Sequence, residues 1–129
     1  MIVHNNLLSH AGSRGLGLYA ATAILRAGAR KVFIVSRRAT GPQGTDAAVQ
    51  YLASLPGIHG SIVALSADLS KTSEIERIVV EIGETEKGVD ILIANAGATW
   101  GGPFEPTPDS SSSKVLDLNV RSVFNLIRL

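Results

Sequence analysis

Cysteine is absent from the 129 residues, which excludes disulfides, iron–sulfur clusters and thiol catalysis. Aromatic side chains are scarce at 5%, so aliphatic residues have to fill the interior. Neither charge sign dominates, because 12 Lys and Arg against 11 Asp and Glu leave a formal net charge of +1. Such a balance projects no long-range field that would recruit nucleic acid or an anionic membrane. No apolar run approaches the ~20 residues of a membrane-crossing helix. The opening Met1-Ile2-Val3-His4-Asn5-Asn6 lacks the charged-then-apolar layout of a secretory leader, so a cytoplasmic location is expected. His4, His10 and His59 show no metal-ligand spacing; they read as surface or local-structure residues, and no metal is expected. Neither Tyr19 nor Tyr51 is followed at the fourth position by lysine.

The residues that are present describe one globular α/β domain. At 45% apolar and 18% charged, the chain is rich enough in aliphatics to bury roughly two-thirds of its unfolded surface. Leu7-Leu8 is a weak first strand running into a glycine turn. Gly15 to Ala27 reads as a helix that Gly28-Ala29 stops. Lys31-Val32-Phe33-Ile34-Val35 is a continuous apolar run of strand length, which predicts a buried parallel strand. Gly41-Pro42-Gln43-Gly44 breaks the chain, Asp46 to Leu55 reads as helix, and Pro56-Gly57 ends it. Ser61 to Leu65 is a third strand. Ser73 with Glu76 suggests a capping box ahead of Ile75, Ile78, Val79 and Ile82, which share a helical face. Val89 to Ala94 is a fourth strand; residues 98–109 form a Gly/Pro-rich loop, and a last helix starts near Ser110 with Val115, Leu118, Val123 and Leu126 on one side. Strand–helix alternation at this spacing predicts right-handed crossovers and a doubly wound parallel sheet, ordered 3-2-1-4, whose fourth strand is an open edge.

Chemistry gathers at the strand ends. Gly12-Ser13-Arg14-Gly15-Leu16-Gly17 lies between a strand and a helix, where backbone N–H groups and the positive end of the helix dipole suit a pyrophosphate; a plain helix-start turn is the alternative. About 20 positions on, where an acidic residue would bind ribose hydroxyls, the chain has Ser36-Arg37-Arg38, and arginine there suits a 2′-phosphate. A charge-assisted contact of that kind contributes about 1.5–3 kcal/mol, enough to select NADP over NAD; otherwise the arginines are a solvated strand end. Asp68-Leu69 follows the third strand, so Asp68 either accepts from an adenine amino group or binds local backbone N–H groups. Asn95-Ala96-Gly97 ends the fourth, and its small residues either admit a ribose or nicotinamide to the backbone or form a simple turn. Ser110 to Ser113 read as helix caps more readily than as phosphorylation sites. Trp100 and Phe104 either line a substrate pocket or anchor their loop.

In order and spacing these residues resemble the short-chain dehydrogenase/reductase family, in particular its NADP-preferring members, from about Leu7 to Leu129. The resemblance implies the first four strands of a Rossmann-like fold and NADP as cofactor, with the Gly12–Gly17 turn on the pyrophosphate and Arg14 and Arg37 on the 2′-phosphate. It implies Asp68 near adenine and Asn95 supporting the central strand and the nicotinamide ribose. Within Leu116-Asp117-Leu118-Asn119-Val120, it implies for Asn119 a water-holding role in proton transfer, a plain polar helix residue being the alternative. It places Arg128 where a helix sometimes lines the cofactor site.

Departures are equally specific. His10-Ala11 stands where the family has Thr-Gly, and Asn5, Asn6 and Ser9 replace apolar residues of the central strand, where each unpartnered polar group costs about 1–3 kcal/mol. Whether the first strand forms properly is thus left open by the sequence, and the family's serine and its Tyr-x-x-x-Lys pair cannot be assigned in these residues. The expectation is therefore an N-terminal cofactor-binding part or incomplete gene model of an oxidoreductase acting on a small carbonyl or alcohol, inactive by itself, whose full-length form is a homo-oligomer. A non-catalytic dinucleotide-binding or protein-interaction module is the alternative.

Overall fold

In the computed structural model, which describes residues 6–10 and 12–129, β1 (Asn6–His10), α1 (Gly15–Arg26), β2 (Lys31–Ser36), α2 (Thr45–Ser54), β3 (Ser61–Ser66), α3 (Thr72–Gly83) and β4 (Ile91–Ile93) follow one another. A final helical rod has three parts: α4 (Asp109–Leu116), a π-helical turn over Asp117–Arg121, and α5 (Ser122–Arg128). The sheet order is β3-β2-β1-β4 with every pair parallel, as the alternation predicts. His4, Asn5 and Ala11 lie outside the described residues.

The period-2 geometry of β2 separates two cores. Val32 and Ile34 join Leu7, Ala21, Leu25, Ala48 and Leu52 beneath α1 and α2. Phe33 and Val35 face the other way, with Leu8, Leu65, Ile75, Ile78, Ile82 and Leu126 under α3 and α5. Burial on both faces explains why β2 carries an unbroken apolar run. The stop after α1 is also as read: Gly28 has φ +99°, and the N–H groups of Gly28 and Ala29 donate to the Leu25 and Ile24 carbonyls, closing the helix in a Schellman pattern.

Despite its polar residues, β1 forms and pairs with both neighbours. Ser9 is fully buried, and its hydroxyl donates to the Gly17 carbonyl at 3.3 Å. The Asn6 amide donates to Glu86 and to the Gly88 carbonyl, each at 3.0 Å, and accepts from Arg30 at 2.7 Å. Partners are thus supplied for the groups whose burial would otherwise be costly. Several local expectations need correction. The capping box does not form: α3 begins one residue earlier than Ser73, behind Lys71, with no side-chain cap. Likewise Ser110–Ser113 lie inside α4, which starts behind Pro108 without a side-chain cap. β4 is confined to Ile91–Ile93, shorter than the Val89–Ala94 run. Among the described residues, no helix is long and apolar enough to cross a membrane.

Candidate functional site

A parallel sheet brings all its carboxyl ends to one edge, where the crossover loops leave a crevice. Here that edge holds a cleft of about 280 Å³ lined by Ser13 and Arg14 after β1, Ser36, Arg37 and Arg38 after β2, and Ala67, Asp68 and Leu69 after β3, with Ala96 and Gly97 beyond β4. Gln43 and Leu118 complete the lining. Nine residues singled out from the sequence thus meet in one place. Gly12, Gly15, Leu16, Gly17, Asn95, Asn119 and Arg128 do not form part of the wall.

The glycine turn divides its labour. A Cβ on Gly12 would lie 2.8 Å from the Ile34 side chain and 3.0 Å from the Ser9 carbonyl oxygen, so this glycine lets the turn pack on β2. Gly15 has φ +54° and open space where a Cβ would point; it serves the backbone conformation and leaves the approach to α1 clear. Arg14 is the N-cap of α1 in an extended conformation, and among the described residues no side chain caps the helix. Its first-turn N–H groups therefore remain suited to an anion. Gly17 is buried against β1 through the Ser9 hydrogen bond, whereas Leu16 is 78% exposed.

Two serine hydroxyls fix the backbone that carries the basic pair. Ser36 Oγ donates to the Arg38 carbonyl at 3.0 Å and Ser66 Oγ to the Arg37 carbonyl at 3.3 Å. Asp68 lines the cleft and makes the local bonds, accepting from the Ser70 hydroxyl at 2.7 Å and the Ser70 N–H at 3.2 Å. Partial burial opposes ionisation of Asp68, yet the Ser70 bonds and the nearby Arg37 and Lys71 charges outweigh it and hold the carboxyl below its ordinary range. It stays an acceptor at neutral pH.

Near β4 the chain is held by the π-helical turn. Asn119 Oδ1 accepts from the Ala98 N–H and Nδ2 donates to the Ala98 carbonyl, both at 2.8 Å. A Cβ on Gly97 would approach that Oδ1 to 3.3 Å. Asn119 is therefore a two-point clamp on the segment after Asn95-Ala96-Gly97, and π-helical turns concentrate at functional sites. Asn95 itself makes a tight turn, its N–H donating to Ile93 at 3.0 Å. Arg128 lies elsewhere, donating to Asn125 at 3.3 Å, which in turn donates to Thr72 on α3 at 3.1 Å; the side chain serves the α3–α5 contact.

Sequence reasoning missed Gln43, Ala67 and Leu118 as lining residues. The Gly41-Pro42-Gln43-Gly44 stretch signals only a break, and Leu118 only a helical apolar face. Trp100 and Phe104 are exposed, Phe104 at 94%, and neither lines the cleft.

Comparison with known proteins matches this arrangement. The family model for short chain dehydrogenases aligns with residues 6–129. The rhamnolipids biosynthesis 3-oxoacyl-[acyl-carrier-protein] reductase of Pseudomonas aeruginosa is 40% identical over 117 residues, covering 91% of this chain and 43% of that protein. The Pseudomonas aeruginosa RhlG/NADP active-site complex superposes with a TM-score of 0.83 at 38% identity, over 96% of this chain and 45% of the other. L-sorbose reductase from Gluconobacter frateurii, complexed with NADPH and L-sorbose, shares the fold with a TM-score of 0.87 at 20% identity, over 98% of this chain and 46% of the other. The chain thus spans less than half the length of these proteins. With a strand order, a glycine turn and a family match over residues 6–129 in agreement, the chain belongs to the short-chain dehydrogenase family.

Proposed function

We propose that this chain is the cofactor-binding part of an NADP-dependent oxidoreductase acting on a carbonyl or alcohol. The observation that carries the reading is the convergence of Arg14, Arg37 and Arg38 on the cleft that also contains Asp68, Ala96 and Gly97. These residues fit the cofactor: an uncapped helix start for the pyrophosphate, cations for a 2′-phosphate, an ionised acceptor for the adenine amino group, and small residues where a ribose must approach backbone. The likeness to an NADP-bound enzyme at 38% identity supports the same assignment.

Gly12, Ser13, Gly15, Leu16 and Gly17 form the pyrophosphate turn in this reading, and Arg37 neutralises the 2′-phosphate with Arg14 and Arg38. Leu69 backs the adenine beside Asp68, and Asn95 supports the ribose end. When bound, the cofactor would supply the redox chemistry, NADPH giving a hydride to a carbonyl carbon or NADP+ taking one from an alcohol carbon. Asn119 shapes the β4 end of the site by holding Ala98 and, in this reading, positions a water for proton transfer. The general acid/base step, worth typically 10²–10⁴-fold, has no Tyr-x-x-x-Lys pair within these residues, so the 129 residues alone are proposed to bind cofactor without turnover. A cytoplasmic, homo-oligomeric full-length form accompanies the proposal.

Titration of the protein with NADPH and NADH, followed by cofactor fluorescence, tests the assignment. Tighter NADPH binding, reversed in Arg37→Asp, is expected. Equal affinity for the two cofactors would contradict it.

A further inference from the structure

Gln43 lies on the cleft wall and belongs to neither the glycine turn nor the basic pair. The Arg14 guanidinium donates to its side-chain carbonyl at 3.0 Å, so the bond crosses from the loop after β1 to the loop after β2. Backbone hydrogen bonds brace the second loop on either side of Gln43. Thr45 N–H donates to Arg38 and Asp46 N–H to Ala39, both at 3.0 Å, and Gly44 N–H to Gly41 at 2.9 Å. Gly41 turns the loop at φ +86°, and at Gly44 a Cβ would fall 2.3 Å from the Ala39 carbonyl oxygen. Arg14 and Gln43 are both exposed, and the long Arg14 side chain is the one with more rotamer freedom to lose.

We propose that Gln43 is a specificity-determining positioning residue: it holds Arg14 over the cleft so that arginines from two loops act as a single site for the cofactor's 2′-phosphate. The inference rests on the reading of the cleft as an NADP site. Its chemical point is neutrality. A carboxylate at position 43 would hold the guanidinium more firmly but cancel its charge, whereas an amide oxygen orients it and leaves the charge for the ligand. Consistent with that demand, none of Arg14, Arg37 and Arg38 is paired with a carboxylate among the described residues. Orientation in advance of binding removes part of the ordering cost that the phosphate contact would otherwise carry.

Calorimetric titration of NADPH and NADH into the protein and its Gln43→Ala, Gln43→Glu, Arg14→Met and Arg14→Met/Gln43→Ala variants tests this. Gln43→Ala should weaken NADPH about 3- to 10-fold, a fraction of one charge-assisted bond, and leave NADH within about twofold. Gln43→Glu should weaken NADPH further, which a merely structural role for the side chain does not predict. In the Arg14→Met background the Gln43→Ala effect should vanish, since the two residues act as a unit. Equal weakening of both cofactors, unchanged NADPH affinity, or full additivity with Arg14→Met would overturn the role of Gln43 while leaving the NADP assignment standing. Absence of NADPH preference in the unmutated protein would overturn both.

Discussion

Gly12 and Gly15 belong to one motif yet answer to different physics, and the difference is measurable. Gly12→Ala places a methyl group 2.8 Å from the Ile34 side chain, an overpacking that costs typically 1–3 kcal/mol. Gly15→Ala meets no atom among the described residues but must hold φ +54°, a left-handed conformation costing roughly 1–2 kcal/mol without Gly. Thermal melts should show both variants destabilised. Cofactor titration should separate them: a new methyl group at Gly15 stands in the open approach to α1, so its affinity loss should exceed that of Gly12→Ala measured well below the melting range. The reverse ranking would show that the pyrophosphate approaches elsewhere on the turn. Motif spacing alone treats the two glycines as equivalent; only the neighbour across β2 distinguishes them.

Elements are tied together at the amino edge of the sheet by Glu86, opposite the cleft. Its carboxylate accepts from Lys31 and Arg30 at the start of β2 and from Asn6 at the start of β1. The bonds from Lys31 and Arg30 are the leading reasons that its pKa is lowered from 4.5 to about 2. A depressed folded-state pKa means stability that is fully present above the unfolded value and lost as pH falls through the folded one. Melting temperatures should therefore fall between pH 4.5 and 2 more steeply in the unmodified protein than in Glu86→Gln. The variant should also start lower at neutral pH. Identical slopes would remove Glu86 from the acid response. This knot also explains why β1 was hard to read: Asn6 and Glu86 are 80 residues apart, so a polar residue in a central strand looks unpartnered until the chain folds. Strand order and the gathering of Ser13, Arg37, Asp68 and Gly97 were legible, because hydrophobic period and motif order determine which loops share an edge. The π-helical turn at Asp117–Arg121 was not legible, since a register change within a helix leaves the apolar pattern nearly intact. For the same reason Asn119 read as a helix asparagine without its bonds to Ala98.

At the scale of the whole molecule, two features favour association. Among the described residues β4 ends the sheet order, with Ile91–Ile93 paired to β1 and its other edge open. Leu116, Val120, Phe124 and Ile127 are each more than half exposed on the last helical rod, and an apolar row of that kind is costly in water. Static light scattering of the 129-residue chain at increasing concentration should report species heavier than a monomer, and NADPH oxidation with a panel of ketones should remain at background. A monodisperse monomer with a cooperative melt would contradict the first expectation; turnover clearly above background would contradict the second and assign the proton to a group within these residues.

The central claim is that a dinucleotide lies along the carboxyl edge of the sheet with its 2′-phosphate at the basic pair. Amide chemical-shift mapping of the isotopically labelled protein during NADPH titration tests it most directly. The largest shifts are expected at Ser13, Arg37, Arg38, Asp68, Gly97 and Ala98, with those at Arg37 and Arg38 much reduced when NADH replaces NADPH. Shifts concentrated at the opposite edge, around Arg30 and Glu86 to Asp90, or equal responses of Arg37 and Arg38 to the two cofactors, would contradict the account.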